Sequence, residues 1–186
     1  MRILACADLH GRPERIARVR ALVVEHSPSV VLLPGDLTHV DLGREALTLL
    51  DTLPVPVLAV SGNMDGPLTI SKIRQHSRLH DANPVVIDGV SFGGPRVGGR
   101  CDVLVVHEPP YGTLDVVPSG RHIGSQDVLE LVRRIRPRVL TCGHVHESAG
   151  IVRLDETTVI NCTMGDGKSR GALIELTAEA ITARLL

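Results

Sequence analysis

The chain has 186 residues, 43% hydrophobic and 22% charged, with a formal net charge of −1. That length suits a single domain, 1–186, able to bury a real core. The near-zero charge excludes a global field drawing the protein onto nucleic acid or acidic membranes. No apolar stretch approaches the roughly 18 residues of a membrane helix, and the apolar run at the N-terminus reaches Asp8 too soon for a signal peptide, so a cytoplasmic address is expected.

In chain order, RILACA (2–7) reads as a strand, and RPERIARVRALVVEH (12–26) as a helix with Ile16, Val19, Val23 and Val24 near one face. VVLLP (30–34) is a buried strand, LGREALTLLDTL (42–53) a helix, VPVLAV (55–60) a third strand and PLTISKIRQHSRL (67–79) a third helix. This alternation implies right-handed crossovers and a parallel sheet. From residue 84 the character changes. VVIDGVSF (85–92), DVLVVH (102–107), RVLTCG (138–143), AGIVRLDETTVINC (149–162) and GALIELTAEAITARL (171–185) are strand-like, with hairpin turns at DET and AEA. One helix, SQDVLELVRRIR (125–136), interrupts them, and 93–100 and 108–124 read as surface loops. The expected fold is α/β, two mixed β-sheets covered by helices. Cys6, Cys101, Cys142 and Cys162 form no CxxC pair and read as small hydrophobes. The only aromatic residues, Phe92 and Tyr111, make no platform for stacked bases. Arg133, Arg134 and Arg136 read as cations complementing a helix C-terminus.

Polar residues concentrate at strand ends, where α/β sheets hold ligands. The ends are Asp8-Leu9-His10, Gly35-Asp36, Gly62-Asn63-Met64-Asp65, Val106-His107 and Gly143-His144-Val145-His146. Residues i and i+2 of an extended chain point the same way, so Asp8 with His10, and His144 with His146, can face one cavity. The glycines before Asp36, Asn63 and His144 allow tight turns there. Asp65 either shapes its own turn or orients a neighbouring ligand. His26, His39, His76 and His80 lack such a setting and read as solvated.

DLH, GD, GNxD, a lone His ending a strand and GHVH, in that order, resemble the calcineurin-like metallophosphoesterase superfamily over residues 8 to 146. HEPPYGTLD and GRHIGSQDVL further resemble a branch of small prokaryotic phosphoesterases. The resemblance implies a four-layer αββα fold and a metal-dependent phosphodiesterase or phosphoesterase acting on a small or nucleotide-like substrate. It implies two divalent ions, one held by Asp8, His10, Asp36 and His146, the other by Asp36, Asn63, His107 and His144, with Asp36 bridging. Imidazole, carboxylate and amide donors without thiolate suit Mn²⁺, with Fe, Zn²⁺ or Ni²⁺ as alternatives. Ions roughly 3.5–4 Å apart activate a shared hydroxide and clamp a phosphoryl group. Asp36, Asn63 and His107 are accordingly expected to be catalytic.

Where much of the superfamily has a phosphate-contacting His after the Asn, this chain has Met64, which donates no proton. Activated or diester substrates are therefore expected, with His122 of the GRHIG loop as a candidate substitute acid. An alternative from a different class is a non-catalytic interaction scaffold, as the retromer subunit with this fold is; a nuclease ranks third, without a basic stripe or clamping domain. No membrane partner is expected, and a homo-oligomer is left open.

Overall fold

Strand β1 (Arg2–Ala5) alternates its side chains between two cores. Ile3 and Ala5 pack with Val30, Leu32, Leu58, Phe92, Val103 and Val139, while Leu4 packs with Ile16, Val19, Leu22, Val31, Leu33 and Ile73. A strand buried on both faces needs a layer on each side, and β2 (Val30–Pro34), buried at all five positions, needs the same. The computed structural model, which describes residues 1–167 and 170–186, supplies those layers.

Helix α1 (Pro13–His26) and β3 (Val57–Val60) complete the first crossovers, and β1, β2 and β3 run parallel, with Ile3 opposite Val30 and Leu32 opposite Leu58. The order of this sheet is β11-β10-β1-β2-β3, where β10 (Ala172–Leu176) and β11 (Ile181–Leu185) are antiparallel additions. The second sheet has the order β4-β5-β6-β7-β9-β8. Its strands are β4 (Val85–Ile87), β5 (Val90–Gly93), β6 (Val103–Val105), β7 (Val139–Cys142), β8 (Gly150–Leu154) and β9 (Thr157–Asn161). β5, β6, β7 and β9 are parallel; β4 and β8 run antiparallel at the edges. Both sheets are therefore mixed, and the core around Phe92 lies between them. Helices α1, α2 (Thr48–Thr52) and α3 (Pro67–His76) cover the outer face of the first. Helix α4 (Gln126–Ile135) covers the second through Leu104, Leu140, Val128, Leu131 and Val132. This is the four-layer αββα arrangement, and the DET and AEA hairpins both form.

Three expected elements differ. The helix over 42–53 shrinks to a 3₁₀ turn at Arg44–Leu47 followed by α2. Gly43, at φ 70°, packs backbone to backbone against Gly11, so residues 42–43 belong to that contact. The helix over 67–79 stops at His76, because the extended Ser77 turns its Oγ to accept from Ala59 N–H at 3.1 Å and Leu79 N–H at 3.4 Å. The single strand over 85–92 is a hairpin. Asp88 and Gly89 take φ of 47° and 80°, the two-residue turn that an Asp-Gly pair favours.

All four cysteines are buried free thiols. Burial pushes Cys6 up to about 12 and Cys101 up to about 11, which makes them poor nucleophiles. Among the described residues no helix is long and apolar enough to cross a membrane. Arg133 and Arg134 lie in the last turn of α4, where Arg134 also donates to the Val97 and Gly98 carbonyls at 3.2 and 3.3 Å.

Candidate metal centre

Five parallel strands end on one side of the sandwich, and each delivers a polar residue just past its last paired position. Asp8 and His10 follow β1, Asp36 follows β2, Asn63 follows β3, His107 follows β6, and His144 and His146 follow β7. Getting them there takes unusual backbone. Asp8, His10, Asp36 and His144 all have positive φ, at 61°, 49°, 52° and 69°. A left-handed residue without a glycine's freedom is strained, and such strain concentrates where geometry is functional.

The seven side chains converge. His10 Nε2 lies 3.3 Å from His146 Nε2, and His146 Nε2 lies 3.7 Å from Asp8 Oδ1. Asn63 Oδ1 sits 2.9 Å from both His107 Nε2 and His144 Nδ1. Asp36 stands between the two groups, its Oδ2 3.9 Å from His10 Nε2 and 3.4 Å from His107 Nε2. Ligand atoms of Asp8, His10 and His146 fall within 4.8 Å of one another, as do those of Asp8, Asp36 and His107, so either set could hold a metal ion.

Neighbouring groups hold these side chains in place. His107 Nδ1 meets the Pro34 carbonyl at 2.9 Å, which turns its Nε2 toward the cluster. The His144 N–H donates to both Asp8 oxygens at 3.1 and 3.2 Å. The Met64 N–H donates to Asp36 Oδ1 at 2.7 Å, leaving Oδ2 to face the histidines. Met64 therefore contributes through its backbone whatever its side chain does. Asp65 shapes its own turn, where Oδ2 accepts the Gly62 N–H at 2.9 Å, and also ties down the loop after Asp36, where Oδ1 accepts the Thr38 N–H at 2.8 Å. Gly62 and Gly143 are close-approach positions. A Cβ on Gly62 would strike Asp36 Oδ1, and one on Gly143 would strike Asp8 Oδ2 and sit 2.5 Å from Ala7 Cβ.

Two buried carboxylates set the electrostatics. Burial alone would depress His107, but the hydrogen bond and charge of Asp36, with Asp8 behind it, outweigh that and push it up to about 9. The hydrogen bond with Asp8 raises His146. Burial works to raise Asp8, yet hydrogen bonds from His146 and Thr163 and the charge of His107 hold it below the usual carboxylate value. Burial lowers His10 against the opposing charges of Asp36 and Asp8, and it lowers His144 with the charge of His107 adding to it. The cluster draws positive charge inward, as an N/O cation site does.

His122 stands outside this convergence. Its Nδ1 lies 2.6 Å from Oδ1 of Asp115, a fully buried carboxylate whose Oδ2 accepts N–H bonds from Gly112 at 2.9 Å and Gly124 at 3.0 Å. Sequence reasoning missed Asp115, although it is quoted in the same loop. It also missed Arg15, whose Nη1 donates to the Asp8 carbonyl at 2.7 Å and Nη2 to the Gly165 carbonyl at 3.3 Å. Gly165 in turn lies flat against the His146 ring, where an added Cβ would find no room. His39 is not merely solvated: exposed as it is, its ring sits 6.1 Å from that of His10. His26, with a side chain only 13% exposed, is also more enclosed than expected. A His three residues after the Gly-Asp pair was the available signal for His39; nothing periodic marks the others.

Two mixed sheets in an αββα sandwich, with Asp, His and Asn gathered at the strand ends, define a metallophosphoesterase. The chain belongs to the calcineurin-like phosphoesterase family, whose model matches residues 1–148. Its class is that of a metal-dependent phosphoric ester hydrolase. The chain is similar to an uncharacterised protein of Methanocaldococcus jannaschii, 26% identical over 87% of each chain. A stretch covering 34% of this chain is 38% identical to metallophosphoesterase domain-containing protein 1 of Homo sapiens, but spans only 20% of that longer protein. An archaeal phosphodiesterase of known structure shares the fold over 100% of both chains, with a TM-score of 0.65 at 18% identity.

Proposed function

We propose that the chain is a phosphodiesterase working with two divalent ions, most simply Mn²⁺, on small or nucleotide-like esters. Asp8, His10, Asp36 and His146 would hold one ion, and Asp36, Asn63, His107 and His144 the other. The observation that carries this reading is the position of Asp36 Oδ2, between His10 Nε2 at 3.9 Å and His107 Nε2 at 3.4 Å. The donor set fits such ions: imidazole nitrogens, carboxylates and one amide oxygen, no thiolate, and ring orientations fixed from outside the cluster. When bound, two such ions supply Lewis-acid stabilisation of a phosphoryl group and lower the pKa of water. The chain's own residues set the two ion positions: Asn63, His107 and His144 gather on one side of Asp36, and His10 with His146 on the other. Hydrolysis of bis-p-nitrophenyl phosphate with Mn²⁺ tests this, with chelator and Asp36→Ala as controls. Turnover lost on chelation and in the variant is expected; no metal-dependent turnover across a panel of divalent ions would contradict the reading and favour the scaffold.

Met64 leaves the leaving group without the usual acid, and His122 is our proposal for its replacement. The support is its built setting. Asp115 holds Nδ1, Nε2 has no hydrogen-bond partner among the described residues, and Val116, bridged to His122, accepts from Ser148 Oγ at 2.8 Å. That ties the loop to the turn His146–Ser148, which carries a cluster residue. An acid matters most for poor leaving groups. His122→Ala should slow alkyl phosphodiesters about 10²-fold while changing p-nitrophenyl esters only severalfold. Equal loss on both would make His122 structural.

A further inference from the structure

Beside the strand end that carries Asn63 lies a second feature with chemistry of its own. Between α3, the turn Arg78–His80 and the loop after β5 there is a cavity of about 200 Å³, lined by Val60, Ser61, Ile73, Arg74, His80 and Arg96 among others. No carboxylate lines it. The nearest acid in sequence, Asp81, is already engaged by Arg78 at 3.2 Å and His80 at 3.4 Å. Arg74 and Arg96 have no acidic partner and no hydrogen bond among the described residues. His80 Nδ1 is buried and equally without a partner. On a chain of net charge −1, two unpaired guanidiniums around one cavity form a local cationic site, with an unpartnered imidazole nitrogen of His80 beside them.

Its position gives the site a purpose. Ser61, on its wall, is two residues before Asn63, and two residues of extended chain span at most about 7 Å. A molecule with its scissile phosphate at Asn63 can therefore reach the cavity through a sugar or a linker of similar size. The floor is apolar, with Val60 and Ile73 nearly fully buried, while Arg74 and Arg96 stand exposed at the rim, where a phosphate can reach them. Guanidiniums match a phosphate's oxygens in paired hydrogen bonds better than any other side chain.

We infer that this cavity is a second phosphate subsite: it binds a phosphate group carried by the same molecule as the scissile ester, through Arg74 and Arg96. Building on the phosphodiesterase reading above, this narrows the substrate class to phosphodiesters that carry a second phosphate group, for which a nucleoside bisphosphate is a product-like probe. Apolar-tailed esters would leave the two guanidiniums unmatched.

Equilibrium dialysis tests the subsite without relying on turnover. Thymidine 3′,5′-bisphosphate and thymidine 5′-monophosphate are compared on Mn²⁺-loaded wild type, on Arg74→Ala/Arg96→Ala, and on Arg133→Ala/Arg153→Ala, which removes equal charge elsewhere. Wild type should bind the bisphosphate about tenfold or more tighter than the monophosphate, as paired charged hydrogen bonds allow. The first double variant should bring the two affinities within about a factor of two, and the second should keep the preference. No preference in wild type, or a preference that survives loss of Arg74 and Arg96, overturns the subsite. Because bis-p-nitrophenyl phosphate has no second phosphate, failure to hydrolyse it would count against the hydrolase reading alone.

Discussion

Asp36→Asn is expected to reduce phosphodiester hydrolysis on the order of 10³-fold or more while the chain still folds. The substitution separates two jobs held by one side chain. Its Oδ1 takes the Met64 N–H at 2.7 Å, and an amide oxygen can keep that bond. Its Oδ2 faces His10 and His107, and an amide nitrogen there brings donors and no charge. The loss should therefore fall on the shared position between the two groups, lowering ions bound per chain as well as rate. Asp36 is 3% exposed and its carboxylate is the main support of the raised His107, so the variant weakens that pairing while Asp8 remains as the other buried carboxylate of the cluster. Metal analysis of the purified variant together with steady-state rates checks this. Unchanged metal content with a lost rate would mean that Asp36 does not bridge.

Gly143→Ala should be a strongly damaging single-methyl change at the site. The added Cβ would meet the Asp8 carboxylate and Ala7 Cβ, and neither can retreat. Asp8 and Ala7 are fully buried, Ala7 is bridged to Thr163, and Asp8 is held by the His144 N–H. Overpacking of this kind costs about 1–3 kcal/mol, readable by urea denaturation. Displacing Asp8 and His144 together should also weaken Mn²⁺ activation about 10–100-fold, the usual scale for disturbing the groups that orient ligands. A variant of normal stability and normal Mn²⁺ dependence would show that the close approach is not required.

The seven convergent residues were legible because each follows a strand end, but the pairs Asp8/His10 and His144/His146 meet through left-handed turns at Asp8, His10 and His144 and not through the period of an extended strand. The parallel pairing of β1, β2 and β3 followed from apolar runs alternating with helices: β1 and β2 are buried on both faces, and the sequence shows them as near-continuous hydrophobic stretches. Asp115 was not legible, because its burial is made by loop closure through the Gly112 and Gly124 N–H groups rather than by any periodic pattern. Arg15 and Gly165 were missed for a related reason: they meet across 150 positions of sequence through a backbone carbonyl, which no motif encodes. The shortened helix at 42–53 reflects a tertiary contact, Gly43 on Gly11, overriding a sound helical pattern. The Asp88-Gly89 pair is itself a two-residue hairpin signal, carried inside an otherwise continuous strand-like run.

The central claim is that Asp36 stands between two ions. The most direct measurement is anomalous difference density from a crystal of the Mn²⁺-loaded protein. The account predicts two peaks roughly 3.5–4 Å apart, flanking Asp36 Oδ2. One should lie toward His10 and His146, the other toward Asn63, His107 and His144. A single peak, or density away from Asp36, would contradict it.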